Sequence, residues 1–78
     1  MYKIIVASDD IHEKVFVEMY YHDKYVALLN QEKGIDEIEI EFPGCINLDQ
    51  QLILRTIPLK EFINLVNEAK LKLVKSVP

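Results

Sequence analysis

The chain has 78 residues, of which 50% are hydrophobic and 28% are charged, and its formal net charge is −4. A chain this short buries only roughly 60% of the surface that its unfolded form exposes, so we expect one domain with one core and no second domain that closes over a substrate. The composition is that of a globular protein and excludes intrinsic disorder.

The cysteine count and the N-terminal sequence predict a reducing compartment. Cys45 is the single cysteine, whereas secreted domains of this size usually contain several disulfides. Met1 is followed by no long apolar signal-peptide region. No segment approaches the ~18 consecutive apolar residues that a membrane span requires. We therefore expect a soluble, cytoplasmic protein without a membrane partner.

Charge is distributed unevenly along the chain. Residues 9–41 contain ten acidic residues and three lysines, a local charge of −7, whereas residues 52–78 contain five basic and two acidic residues, a local charge of +3. The acidic half should repel nucleic acid and anionic membranes and attract a basic protein surface.

Alternating apolar and polar residues predict four strands separated by short polar turns. The expected strands are residues 2–7, 14–21, 25–31 and 36–42, and residues 52–57 are a candidate for a short fifth strand at an edge. In the third strand, strict alternation groups Val26 with Leu28 on one face and Tyr25 with Ala27 and Leu29 on the other.

A helix is predicted for about residues 58–75, because Pro58 suits the first helical position. Apolar residues recur there at helical spacing along one side. This stripe consists of Leu59, Phe62, Ile63, Val66, Ala69 and Leu73, widened by Leu65 and Val74. We expect Leu59, Phe62 and Val66 to lie in the core.

Strands followed by one helix indicate an α+β domain. The expected architecture is an antiparallel meander sheet of four or five strands, with the C-terminal amphipathic helix packed on one face. A helix ~10 Å wide cannot cover a sheet whose strands are ~4.8 Å apart, so part of the sheet should face water or a partner.

No pattern typical of catalysis, metal binding or cofactor binding is found. His12 and His22 lie in predicted turns beside acidic residues, without the ligand set of a zinc site or the pocket of a general base. We interpret both as solvated turn residues, and Cys45 as a small buried hydrophobe. The chain is therefore expected to be no enzyme and to need no cofactor.

The fourth predicted strand has an acidic side formed by Glu37, Glu39 and Glu41. It can be a solvated face whose charges deter edge-to-edge aggregation. It can instead be a docking surface for a basic partner, since these carboxylates repeat every ~6.6 Å, close to the spacing of phosphates along a nucleic-acid strand. The other carboxylates that would extend this negative field are Asp36, Asp9 and Asp10.

Aromatic residues surround the second predicted hairpin, and they can be core residues or interface anchors. This group consists of Phe16, Tyr20, Tyr21 and Tyr25. Tyr20 shares the presumed outer face with Glu18, so these two residues are added to the candidate partner-binding set and Tyr20 is expected to be exposed.

The layout resembles the small cytoplasmic immunity proteins of bacterial toxin systems, in particular those paired with contact-dependent growth-inhibition toxins. The stretches that carry the resemblance are residues 25–32, YVALLNQE, and residues 62–70, FINLVNEAK. The resemblance implies a protein that binds and neutralises a cognate toxin domain, often a nuclease, by covering its active site or substrate surface.

Two other functions stay open. The first is a homo-oligomeric structural or adaptor module, in which a dimer buries the uncovered sheet face. The second is an enzyme or small-ligand binder, against which the short chain counts because it offers little room to build a pocket.

Overall fold

The computed structural model describes residues 1–43 and 54–76. It confirms the predicted α+β class, with a four-stranded antiparallel sheet in the order β1-β2-β3-β4 and a helix α1 packed on it. The elements are β1 (Tyr2–Ala7), β2 (Phe16–Tyr21), β3 (Lys24–Asn30), a 3-10 helix (Ile35–Glu37), β4 (Glu39–Glu41) and α1 (Leu59–Lys75). Among the described residues, no helix is both long enough and apolar enough to cross a membrane.

The turn between β2 and β3 consists of His22 and Asp23. Both have positive φ angles, 49° and 64°, and the strands close at the pair Tyr21 and Lys24. Two central residues with positive φ match the right-handed twist of a hairpin, and aspartate and histidine tolerate this conformation better than branched residues do. The polar sequence at this position therefore allows a two-residue connection.

A β-bulge in the β2–β3 pair changes the side to which the start of β3 points. Met19 pairs with Ala27, but the next residue, Tyr20, pairs with Tyr25, so Val26 is an extra residue. Val26 and Ala27 both lie in the core, as is typical of a bulge. The prediction from strict alternation was therefore wrong: Tyr25 lies on the face opposite to Ala27.

The strand pairing assigns each side chain to one of two faces, because cross-strand partners lie on the same face. The inner face packs against α1. The buried apolar residues of this core are Val17, Met19, Val26, Ala27, Leu29, Leu65, Ala69 and Leu73. We call the opposite side the open face, and the pairing places on it Lys3, Ile5, Ala7, Phe16, Glu18, Tyr20, Tyr25, Leu28, Asn30, Glu39 and Glu41.

The helix buries a different part of its apolar stripe from the predicted one. Leu65, Ala69 and Leu73 are fully buried, whereas Leu59, expected in the core, is 72% exposed. Phe62 and Val66 are half-buried beside the core, whereas Ile63 and Val74 are exposed. The apolar arc of α1 is wider than the contact that one helix makes with a sheet. Because α1 packs mainly over β1, β2 and β3, the flank of the helix nearest β4 is left uncovered.

The fourth strand is shorter than predicted, because its expected first residues form the 3-10 helix. Gly34 has a φ of 113°, a conformation that glycine adopts without steric cost, and its carbonyl accepts a hydrogen bond from the Glu37 N–H. Ile35 and Ile38 both pack against the core. Side chains three residues apart share one side in a 3-10 helix, whereas alternation in a strand separates them.

The candidate fifth strand falls partly outside the described residues, as does Cys45. Residues 54–57 are not a strand, although the Leu54 N–H donates a hydrogen bond to the Tyr25 carbonyl at 2.9 Å. Pro58 is the N-cap of α1, with φ −56° and ψ 133°, rather than the first helical residue.

Candidate functional site

The open face has two neighbouring rows of side chains that cross the sheet. In the first row, Glu18 pairs with both Ile5 and Leu28, and Leu28 also pairs with Glu41. The row therefore reads Ile5, Glu18, Leu28 and Glu41 from one edge to the other. All four side chains are partly exposed, so this row offers apolar and acidic groups together.

The second row carries two tyrosines beside a lysine. Tyr20 pairs with both Lys3 and Tyr25. The rings of Tyr20 and Tyr25 are 5.5 Å apart and meet edge to face at 70°, which is a favourable aromatic geometry. Both tyrosines are half-buried. Tyr20, expected to be exposed, thus presents only part of its surface to solvent.

The tyrosine hydroxyls keep their protons at neutral pH. Burial raises the pKa of Tyr25 to about 12, and the charges of Glu18 and Glu41 and the phenol of Tyr20 act in the same direction. Burial also raises the pKa of Tyr20, again helped by the charge of Glu18. The hydroxyls are therefore neutral hydrogen-bond donors on the same face as Glu18.

Two of the three carboxylates of the predicted acidic stripe form hydrogen bonds or ion pairs with other side chains of the protein. Lys33 Nζ lies 2.8 Å from Glu39 Oε2. Glu41 Oε2 accepts a hydrogen bond from the Asn30 side chain and lies 2.7 Å from His12 Nε2. Glu37, the third, belongs to the 3-10 helix and is exposed. The strand pairing therefore keeps Glu39 and Glu41 on one face of the sheet, whereas Glu37 lies outside β4.

The sequence suggested that His12 is a solvated turn residue, and the structure contradicts this interpretation. Its side chain is only 10% exposed and lies between two carboxylates, with Nδ1 3.0 Å from Asp9 and Nε2 2.7 Å from Glu41. Its ring centroid is 4.6 Å from that of Phe16. The bonds to Glu41 and Asp9 raise the pKa of His12 above its usual value of 6.5, so the protonated ring can donate to both carboxylates.

The connection between β1 and β2 is held by two acidic residues. Asp9 Oδ1 accepts hydrogen bonds from the backbone N–H groups of Ile11 and His12, a local turn that aspartate commonly forms. Glu32 accepts from the N–H groups of Glu13 and Lys14. The sequence around Asp9 could have predicted a turn that orders His12. No local pattern could have predicted Glu41, the distant partner of His12.

The predicted partner-binding residues separate into three groups. Glu18, Tyr20, Glu39 and Glu41 lie on the open face. Asp9 joins them through His12, and Asp10 is exposed in the same connection. Asp36 and Glu37 lie elsewhere, in the 3-10 helix, where Asp36 lines the groove between α1 and β4. Tyr25 also lies on the open face. It is absent from the predicted partner-binding set, because the bulge turns its side chain to the face opposite to the one that strict alternation predicts.

The groove between α1 and β4 is a second surface that α1 leaves uncovered. It has a volume of about 460 Å³. The residues that line it are Leu29, Ile35, Asp36, Ile38, Ile40, Phe42, Phe62, Val66 and Lys70. Phe42 at its lip is 67% exposed. The lining is mostly apolar, with one acidic and one basic residue.

No protein of known function helps to choose between these surfaces. No family model, curated protein or solved structure matches the chain. Within residues 1–43 and 54–76, no group of three or more metal-ligating side chains could hold a metal ion.

The stability that His12 provides should depend on pH. Because its pKa is raised in the folded state, its contribution is complete below about pH 6.5 and is lost as the pH rises through the folded-state pKa. The pKa of Asp9 is lowered, chiefly by the His12 backbone N–H, so its contribution is present above about pH 4. Both contributions coexist between these values.

We expect His12→Ala to destabilise the protein by about 1 kcal/mol more at pH 5.5 than at pH 8.5, as measured by urea unfolding. This figure is at the lower end for charged hydrogen bonds because Asp9 and Glu41 are partly exposed. His22→Ala is the control, since no carboxylate lies within ion-pair distance of His22 among the described residues. Equal destabilisation at both pH values would contradict this role of His12.

Proposed function

We propose that the chain is a protein-binding domain that docks the open face of its sheet onto a basic surface of a partner protein. The observation that carries this proposal is the meeting of Glu18, Tyr20 and Tyr25 on a face that α1 does not cover. Half-buried tyrosines beside carboxylates combine contact area at low entropic cost with charge, which is the composition of a protein interface.

Electrostatics support a basic protein as the partner. The local charge of −7 over residues 9–41 includes every carboxylate of the open face and of the β1–β2 connection. Such a field speeds the encounter with a basic surface and makes the association rate fall with salt. The same field opposes direct binding of nucleic acid.

We further propose that the partner is a cognate bacterial toxin domain, and that the chain is its cytoplasmic immunity protein. The resemblance of residues 25–32 and 62–70 to such proteins supports this identity. A nuclease toxin must present a basic groove to its substrate backbone, and an acidic face can cover that groove. Inhibition would then follow from exclusion of substrate, with no chemistry required of this chain.

The test is co-expression with the gene product encoded next to this chain, followed by purification of the complex and a growth assay. Wild-type chain should form a tight complex and restore growth. Glu18→Gln should weaken the complex at least tenfold, which corresponds to about 1.4 kcal/mol. Glu37→Gln is the matched control, because Glu37 is exposed in the 3-10 helix and belongs to none of the paired strands that form the open face, and it should bind like wild type.

Failure to form a complex and failure to restore growth would refute the immunity function. If a complex forms but Glu18→Gln and Glu37→Gln weaken it equally, the open face is not the interface. Binding then depends only on the overall charge of the chain.

A second candidate is a homo-oligomeric module, which the apolar groove between α1 and β4 favours. Phe42 at the lip of this groove is largely exposed, and exposed apolar surface of this kind commonly marks an interface. A self-associating chain would sediment at twice the 9.1 kDa of one protomer, whereas an immunity protein that binds through the open face need not.

A further inference from the structure

Glu18 differs from the other carboxylates of the open face in having no hydrogen-bond or ion-pair partner among the described residues. Glu39 is paired with Lys33, and Glu41 with His12. No hydrogen bond or ion pair of Glu18 is found within residues 1–43 and 54–76. Ile5 and Leu28 flank Glu18 in its row, and Glu18 is itself only partly exposed. A carboxylate that is partly removed from water without a cation costs free energy, and a cation from outside can offset it.

The aromatic faces beside Glu18 suit a cation as well. Tyr20 follows Glu18 by two residues on the same strand and face, a separation of ~6.6 Å, and Tyr25 completes the pair at 5.5 Å. Glu18 therefore shares the open face with both tyrosines, and its charge acts on both phenols. A cation bound by Glu18 on this face can gain a cation–π interaction if it reaches to within ~6 Å of a tyrosine ring.

A recess beside Tyr20 offers room for a side chain. It has a volume of about 260 Å³ and is lined by Lys3, Ile5, Tyr20 and Asp23. Ile5, which lines the recess, is the direct cross-strand partner of Glu18. Counting Glu18 and Asp23 against Lys3, this corner of the open face has a net negative charge.

Arginine fits this geometry better than lysine does. Its planar guanidinium can donate two parallel hydrogen bonds to one carboxylate while its face stacks on an aromatic ring. It is also more weakly hydrated than an ammonium group, so it loses less on entering a partly apolar site. Ile5 and Leu28 can pack against the methylene stem.

We infer that Glu18, Tyr20 and Tyr25 form a binding site for one arginine side chain of the partner protein. The guanidinium binds the Glu18 carboxylate and stacks on the tyrosine pair, and the stem of the arginine lies towards Ile5 and the recess. This inference rests on the proposed function, since it names the chemical group of the partner that the open face recognises.

The test uses purified protein alone and three short, otherwise identical peptides that contain one arginine, one lysine or one citrulline. Citrulline keeps the shape of arginine but has no charge. Titration followed by amide NMR should show the largest shifts at residues 18, 20 and 25 with the arginine peptide. The arginine peptide should bind at least fivefold more tightly than the lysine peptide and at least tenfold more tightly than the citrulline peptide.

Two variants assign the effect to the site. Glu18→Gln should weaken binding of the arginine peptide at least tenfold, and Tyr20→Leu should reduce the preference for arginine over lysine to less than twofold. Glu37→Gln should bind like wild type, although it removes the same charge. The one-dimensional NMR spectrum of each variant confirms that it is folded.

The inference is overturned if arginine and lysine peptides bind equally, if the shifts concentrate at Asp9 and Asp10, or if Glu18→Gln binds like wild type. The proposed function fails separately. If the partner complex depends on Glu18 but the peptides show no preference for arginine, the docking face is supported and the arginine site is rejected. If the arginine peptide binds but no complex forms with the neighbouring gene product, the arginine site is supported and the toxin is rejected as its partner.

Discussion

Replacing Leu65 by alanine should lower the free energy of unfolding by about 2–5 kcal/mol, the usual cost of truncating a fully buried leucine. Leu65 has no exposed surface and packs in the core between α1 and the inner face. Truncation removes apolar contacts and leaves a cavity that the strands cannot easily fill, since Val17 and Met19 are themselves fully buried. Urea unfolding monitored by circular dichroism measures the change.

Leu59→Ala is the matched control for Leu65→Ala, because it makes the same substitution in the same helix at a position that is 72% exposed. Its effect should stay within about 0.5 kcal/mol. If Leu59→Ala proves the more damaging of the two, α1 is rotated towards the face that its sequence stripe suggested.

Phe16→Ala should cost about 3–5 kcal/mol, the usual range for a buried phenylalanine. Phe16 is only 4% exposed, although it lies on the open face, where no helix covers it. Its cover comes in part from the His12 ring, which is held over it by Asp9 and Glu41. The substitution should therefore destabilise the fold and also release the β1–β2 connection.

Two measurements check the prediction for Phe16. Urea unfolding gives the loss of stability, and histidine NMR titration should show the pKa of His12 in the variant returning towards 6.5 as its bonds to the carboxylates loosen. Phe42→Ala is the control, since Phe42 is 67% exposed, and it should change stability by no more than about 0.5 kcal/mol. An unchanged His12 titration would mean that Phe16 does not support the connection.

The charge distribution of the open face narrows the surface that can bind a partner. Counting acidic residues along the chain suggests a continuous stripe, yet Glu39 and Glu41 are already engaged by Lys33 and His12. Their attraction for a partner is reduced, because each partner cation must compete with one inside the chain. Glu18 is the open-face carboxylate with no such competitor among the described residues, which is why the expected effects concentrate there.

Local periodicity determined the class of the fold. The alternation of side chains in residues 2–7 and 16–21 can be recognised from neighbouring residues alone. A period of two places successive side chains on opposite faces of the sheet, whichever strands pair. The helix is specified in the same way by its apolar spacing. The acidic character of residues 9–41 is likewise independent of the fold.

The candidate site could be predicted only in part, because its remaining features depend on contacts between distant residues. The partners His12 and Glu41 are 29 residues apart, and no local pattern pairs them. The wide apolar stripe of α1 is compatible with several rotations, and only packing against β1, β2 and β3 buried Leu65 and exposed Leu59.

The position of Tyr25 shows this division most clearly. Strict alternation places its side chain on the same face as Ala27, yet the bulge at Val26 turns it to the open face beside Tyr20. One extra residue in a strand reverses the direction of every side chain beyond it. Local residue patterns are enough to predict the strands, the helix and the acidic charge, whereas the pairing register, which depends on tertiary contacts, selects the side chains that meet at the candidate site.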